Sequence, residues 1–206
     1  MKKLFFAAAI AVFGFTTVNA QDDTTEFGFG EGNVFVEGSL GFSSTNDKNF
    51  DTKSNAFNIT PKVGYFLSDD LAVGVQLDFG TAKTSASGTD TSKNSNVGIG
   101  AFGRYYFLDL GKRFKTYTEF GVGYNTLDDK ISDVKVNSIG AGLDLGLNYF
   151  VKENIALTFG LDNVLAYSST KVDVSGAKAT NSFEFGVGEV NNPFGGTAKF
   201  GVLFVF

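Results

Sequence analysis

Apolar residues recur at every second position through most of this chain, and no other feature restricts its fold as much. The rhythm is plain at 198–206, where Ala198, Phe200, Val202, Phe204 and Phe206 alternate with Lys199, Gly201, Leu203 and Val205. Successive side chains of a β-strand point to opposite faces, so this spacing gives a strand with one wholly apolar face. The odd face is mixed. Such a strand suits an apolar medium along one side and an aqueous interface at its end.

Seven further segments share the pattern. At 33–42, Val34, Val36, Leu40 and Phe42 oppose Phe35, Glu37 and Ser39. At 56–67, Phe57, Ile59, Val63 and Tyr65 oppose Asn58, Thr60, Lys62 and Gly64. Pro61 falls on the apolar face there, removes one ladder hydrogen bond, and predicts a bulge or a weak pair. The segments at 71–80, 97–107, 114–125, 139–149 and 155–162 follow, the cleanest being Ile139, Ala141, Leu143, Leu145, Leu147 and Tyr149 against Gly140, Gly142, Asp144, Gly146 and Asn148. Polar loops at 43–55, 81–96, 126–137 and 163–197 alternate with short turns at 68–70, 108–113 and 151–154. The last loop holds alternating pieces of its own, Val172/Val174 and Phe183/Phe185/Val187, which read as strand extensions or a hairpin clear of the membrane. The sum is eight strands of about 9–12 residues, the length that a tilted strand needs to cross a bilayer.

The first 20 residues are distinct. Lys2 and Lys3 precede an apolar run from Leu4 to Phe15, and Val18-Asn19-Ala20 offers a small-residue cleavage site. This predicts a signal peptide cut before Gln21; an apolar run of roughly 12 residues is short of the ~20 that a spanning helix needs. Residues 21–32, acidic and glycine-rich, are expected to form a flexible periplasmic lead-in to a barrel at 33–206.

Alternation alone does not say whether the apolar face points out to lipid or in toward a ligand cavity, as in a lipocalin-like soluble barrel. Three features decide it. Ten glycines (Gly64, Gly74, Gly98, Gly100, Gly121, Gly123, Gly140, Gly142, Gly146 and Gly160) crowd the polar face, which suits the interior of a narrow barrel. The charges of that face, Glu37, Lys62, Asp78, Arg104, Glu119, Asp144, Asp162 and Lys199, sit at similar depth, as a buried polar network requires. Aromatics of the apolar face fall at strand ends, with Tyr65, Tyr105, Phe107 and Tyr149 toward the short turns and Phe42, Phe57, Phe79 and Tyr124 toward the long loops. Those are two interfacial girdles. The expected fold class is all-β: an eight-stranded, antiparallel, up-and-down transmembrane β-barrel with its lumen filled by side chains.

Here the residues reach a family. The run Ile59-Thr60-Pro61-Lys62-Val63-Gly64-Tyr65-Phe66-Leu67-Ser68-Asp69-Asp70-Leu71-Ala72-Val73-Gly74 resembles the strand-turn-strand signature of small outer-membrane β-barrel proteins of the OmpX/OmpA-barrel type, the porin family of Bacteroidetes-like genomes. The closing strand is similar to those of bacterial outer-membrane barrels, which end in Phe after apolar residues at every second position. The resemblance implies a bacterial outer-membrane location with periplasmic termini and extracellular long loops. It also implies that Phe200, Val202, Phe204 and Phe206 serve as a signal to the barrel-assembly machinery. Members serve as structural proteins, adhesins or binding surfaces and rarely as wide pores.

Chemistry is sparse. The chain lacks histidine and cysteine, so the commonest general base, metal ligand and thiolate nucleophile are missing. Net charge of -5 argues against nucleic acid. Gly98-Ile99-Gly100-Ala101-Phe102-Gly103 spells G-x-G-x-x-G but lies within a strand with no helix after it, so it reads as a lumen-lining pattern and not a dinucleotide site. Asp128, Asp129 and Asp133 do not have EF-hand spacing and read as a solvated loop. No catalytic residue, cofactor or metal is expected. The expected role is structural or surface-interacting, with outer-membrane lipid as surroundings, an unknown extracellular ligand at the loops and a monomeric state; the alternative is a narrow channel for ions or very small solutes.

Overall fold

The computed structural model describes residues 27–186 and 198–206. The expected signal peptide at 1–20, the start of the lead-in at 21–26 and the stretch 187–197 lie outside them. Nine strands are described: β1 (Val34–Asp47), β2 (Thr52–Phe66), β3 (Leu71–Ala86), β4 (Thr89–Asp109), β5 (Phe114–Asp129), β6 (Val134–Lys152), β7 (Ile155–Val172), β8 (Thr180–Phe185) and β9 (Ala198–Val205). Consecutive strands from β1 to β7 pair antiparallel. The ring closes through β9, which pairs with β1 on one side and with Ile155–Leu161 of β7 on the other. Val34 and Phe206 seal the seam by exchanging backbone hydrogen bonds of 3.1 and 2.8 Å. The eighth place in the ring is shared, because β8 pairs with Leu165–Thr170, farther along β7. The result is a closed, eight-stranded, up-and-down barrel.

The face assignment follows the alternation. Leu40, Phe42, Val75, Ile99, Phe120, Ile139 and Phe200 are exposed on the outer wall, while Phe35, Glu37, Thr60, Phe102, Arg104 and Glu119 are buried inside. An outer surface this apolar is the reverse of a soluble barrel. All the girdle aromatics point outward: Tyr65, Tyr105, Phe107, Phe42, Phe57 and Tyr124 are exposed, and Phe79 and Tyr149 are half-buried.

Two expectations change and a third is met in part. The polar loops at 43–55, 81–96 and 126–137 are mostly strand, because the hairpins continue past the apolar belt with both faces wet. The β3–β4 hairpin turns on Ser87 and Gly88 at φ 49° and 79°, the type I′ geometry whose twist matches its flanking strands. Of the two outcomes expected at Pro61, the weak pair is found and the bulge is not: the β2–β3 ladder skips Thr60 and Pro61 and resumes at Lys62↔Gln76 in the same register. Bulges lie elsewhere, in the β3–β4, β4–β5 and β6–β7 ladders; in β7, two extra residues fall between Leu161 and Leu165 opposite β6, and Asn163 takes φ 57°.

The lead-in is drawn into the barrel from Phe27 onward. Phe29 stacks on Phe66 with ring centroids 4.4 Å apart and also meets Tyr106 and Phe150 at 4.5 and 5.3 Å. The Arg113 guanidinium lies 4.3 Å from the Phe27 ring centroid. Gly32 N donates to Phe66 O at 3.0 Å, and Glu31 N donates to Asp69 Oδ1 at 3.0 Å.

Candidate functional site

The lumen divides into two tiers. The lower one, toward the short turns, is closed. Its centre is Arg104, fully buried on β4. Arg104 Nε donates to Glu119 Oε2 and Nη1 donates to Glu37 Oε2, both at 2.7 Å, while Nη2 lies 2.6 Å from Glu119 Oε2. Lys62 pairs with the other oxygen of Glu119. Two cations and two carboxylates make a neutral knot drawn from β1, β2, β4 and β5. The knot reaches across β3 because the inward residues there are Ala72 and Gly74; a Cβ at Gly74 would overlap the Phe102 ring.

Aromatic rings wall this knot. The Arg104 guanidinium sits 4.1 Å from the Tyr117 ring centroid and 5.1 Å from that of Phe35, a desolvated cation–π arrangement. The Tyr106 hydroxyl accepts from Asn148 Nδ2 at 2.8 Å. Phe35, Phe66, Phe102, Tyr106, Tyr117 and Phe150 form one buried cluster, with Phe27 and Phe29 packed against it from the turn end. Their signal lay in the phase of the alternation: each sits on the face that carries the charges, so each had to point inward.

The upper tier is open. A cavity of about 430 Å³ faces the long hairpins, lined among others by Gln76, Asp78, Asn125, Asp144, Asp162 and Lys199. Glycines 121, 123, 140 and 142 make the room. The remaining half of the expected network lies here, joined locally and not to Arg104. Lys199 pairs with Asp162. Asp78 accepts from Thr60 Oγ1 at 2.9 Å and Gln76 Nε2 at 3.1 Å, and Asp144 accepts from the bulged Asn163 N at 2.7 Å. The eight charges expected at one depth therefore form two levels. A void of about 20 Å³ between them is lined by Ser39, Thr158 and Gly201 among others; that is room for a single water. The Thr158 hydroxyl has no hydrogen-bond partner there among the described residues.

The G-x-G-x-x-G run lies in the middle of β4 and continues as strand. Gly98 and Gly100 face the lumen, and Gly103 faces out with nothing within 4 Å of an added Cβ. In the β5–β6 turn, Asp129 Oδ1 accepts from Ile131 N at 2.9 Å and Ser132 N at 3.3 Å, and Asp128 pairs with Lys130. The Ile131 amide, with Ser132 behind it, holds the Asp129 carboxyl below the usual carboxylate range.

An apolar outer wall, a packed polar lumen and a ring sealed between its first and last strands define the class of membrane-spanning β-barrels. More narrowly, the chain belongs to the outer membrane protein beta-barrel domain family, whose model matches residues 7–188. It is 26% identical over 156 residues to outer membrane porin F of Pseudomonas fluorescens, a match covering 73% of this chain and 48% of that protein. The chain thus spans about half the length of that relative. Among solved structures, outer membrane protein OprG of Pseudomonas aeruginosa superposes with a TM-score of 0.51 at 14% identity, covering 87% of this chain and 98% of that one. Outer Membrane Protein W of E. coli gives 0.48 at 16% identity, covering 86% and 99%. The OprG likeness is one of fold.

Proposed function

We propose that this outer-membrane barrel is a non-conducting scaffold that presents its four long hairpins to the extracellular medium. The observation that carries this reading is the lower tier, where the Arg104 knot and its aromatic wall fill the lumen and Phe29 packs beneath them. Strands of 14–21 residues in β1–β7 support the second half of the reading, since they exceed the ~9–11 that a bilayer needs and leave hairpins standing beyond the loop-end girdle.

On this reading the short turns and both termini are periplasmic, and Phe200 to Phe206 engage the assembly machinery as β9 closes the ring. The barrel works as a monomer in lipid, and its carboxylates have no catalytic duty, since Glu37 and Glu119 are held by Arg104 and Lys62. Ligands meet the hairpins and the open upper cavity between them.

Two measurements test the proposal. The refolded protein, its insertion verified by a heat-modifiable gel shift, should give no discrete conductance steps in a planar bilayer. Reproducible steps would make it a narrow channel instead. The chain has no cysteine, so single Asn49→Cys and Lys112→Cys variants report orientation: a membrane-impermeant maleimide on intact cells should label the first and spare the second. The opposite pattern would invert the assignment.

A further inference from the structure

The outer wall carries a second patterned feature, which starts at the loop-end girdle and rises one level above it. Across β1–β4 the outward residues Phe42, Phe57, Thr81 and Ser95 lie side by side in the ladder. Two residues farther along, about 7 Å, the outward neighbours are Asn55, Lys83 and Lys93. Lys130 joins them, its backbone N donating to Lys93 O at 2.8 Å. Together these residues line a groove of about 330 Å³ on the outside of the barrel, with Phe42 and Phe57 as its apolar floor and Lys83, Lys93 and Lys130 along its upper rim.

The rim is electrostatically incomplete. Lys83 and Lys93 are direct cross-strand partners, an arrangement of like charges that destabilises a sheet. Asp90 lies 3.0 Å from Lys83, but both side chains are about half exposed, and exposed pairs of this kind are weak and exchangeable. Lys130, also about half exposed, pairs with the less exposed Asp128. Lys93 makes no salt bridge among the described residues. Lys53, Lys135 and Lys171 add outward-facing charge at nearby levels of β2, β6 and β7.

An apolar floor facing hydrocarbon, with ammonium groups directly above it, matches an amphiphile of one architecture: acyl chains below and an anionic phosphate above. We infer that the groove formed by Phe42, Phe57, Lys83, Lys93 and Lys130 binds the phosphorylated headgroup of a lipid in the leaflet at the hairpin end. The inference rests on the membrane level proposed above, and it identifies the lipid and not a soluble anion as the source of the phosphate. The flexible lysine stems lie along the apolar surface while their heads reach the phosphate.

The test uses the full protein folded in detergent, with fold checked by the heat-modifiable gel shift. Native mass spectrometry reads retained adducts on titration with phosphatidic acid, with phosphatidylcholine, and with inorganic phosphate alone. Phosphatidic acid should be retained in preference to phosphatidylcholine, and inorganic phosphate should not be. The triple variant K83Q/K93Q/K130Q should keep its gel shift and lose the preference, each lysine contributing about fivefold. Lys112→Gln, at the opposite end, should change nothing. Equal retention of both lipids, or a triple variant that binds as the parent does, overturns the inference. Retention of inorganic phosphate by itself assigns the site to a soluble anion and overturns the lipid assignment. Detergent removes orientation from this experiment, so a failure here is distinct from a reversed labelling pattern at Asn49→Cys.

Discussion

Arg104 is the residue on which the lower tier depends. Truncating it leaves Glu37 and Glu119 facing each other with only Lys62 to balance them, and breaking a buried pair from one side costs about 3–5 kcal/mol. Arg104→Ala should therefore lower the urea midpoint of the lipid-folded barrel sharply, and an unchanged midpoint would count against the knot. Arg104→Lys should fall between, because a single ammonium cannot span both carboxylates as the fork does. The glycines offer a finer contrast. A Cβ at Gly64 would overlap the Phe35 ring and one at Gly146 the Tyr117 ring, so alanine at either should cost about 1–3 kcal/mol by overpacking. Gly103→Ala, facing open space, should be silent in the same titration. That Arg104 and the glycines point inward was legible, since parity along a strand settles it. The partners of each charge were not. Glu37 and Arg104 lie 67 residues apart in sequence, and only the closed ring sets which inward residues meet across the lumen.

Among the elements, the shared eighth position makes the sharpest prediction. β9 has a neighbour on each side, whereas among the described residues β8 has only β7, and its Phe183 and Phe185 are 69% and 81% exposed. Amide hydrogens of β8 should exchange orders of magnitude faster than those of β9, in keeping with local opening of thinly supported segments. Equal protection would mean that β8 has a second partner. The segment around Phe29 should add to stability without shaping the strands: Phe29→Ala should lower the unfolding free energy by about 2 kcal/mol, less than for a fully buried Phe, with the circular dichroism of the strands unchanged. The alternation at Phe183 and Phe185 made β8 legible as a strand extension or hairpin, whereas the Phe29 segment was not plain in the sequence. Phe27-Gly28-Phe29-Gly30 has the composition of a lead-in, and its stacking partners, Phe66, Tyr106 and Phe150, come from β2, β4 and β6. The hairpins beyond the belt were hidden for another reason: strands wet on both faces need no apolar alternation, so Ser- and Thr-rich runs read as loop until their partners are known.

For the molecule as a whole, lumen and hairpins are separable. Replacing 43–55 by a two-residue turn removes none of the side chains of the lower tier, so the shortened barrel should still insert and keep its gel shift while losing whatever binds at that hairpin. Loss of insertion would make the hairpin part of assembly. The barrel itself was legible because one physical demand, apolar outside and packed polar inside, is written into every strand. The division of its interior into a closed and an open tier was not, because it arises from side-chain lengths summed across the lumen. The same knot has an informational consequence. It takes one charge from each of β1, β2, β4 and β5, and a slip of one residue in any of these strands swaps its faces. A slipped strand would turn a charge toward hydrocarbon, at about 2–4 kcal/mol for Arg or Lys near the midplane, and would unbalance the three left inside. Glu37, Lys62, Arg104 and Glu119 thus work as a checksum on strand alignment, satisfied by the native register and violated by each of its nearest errors.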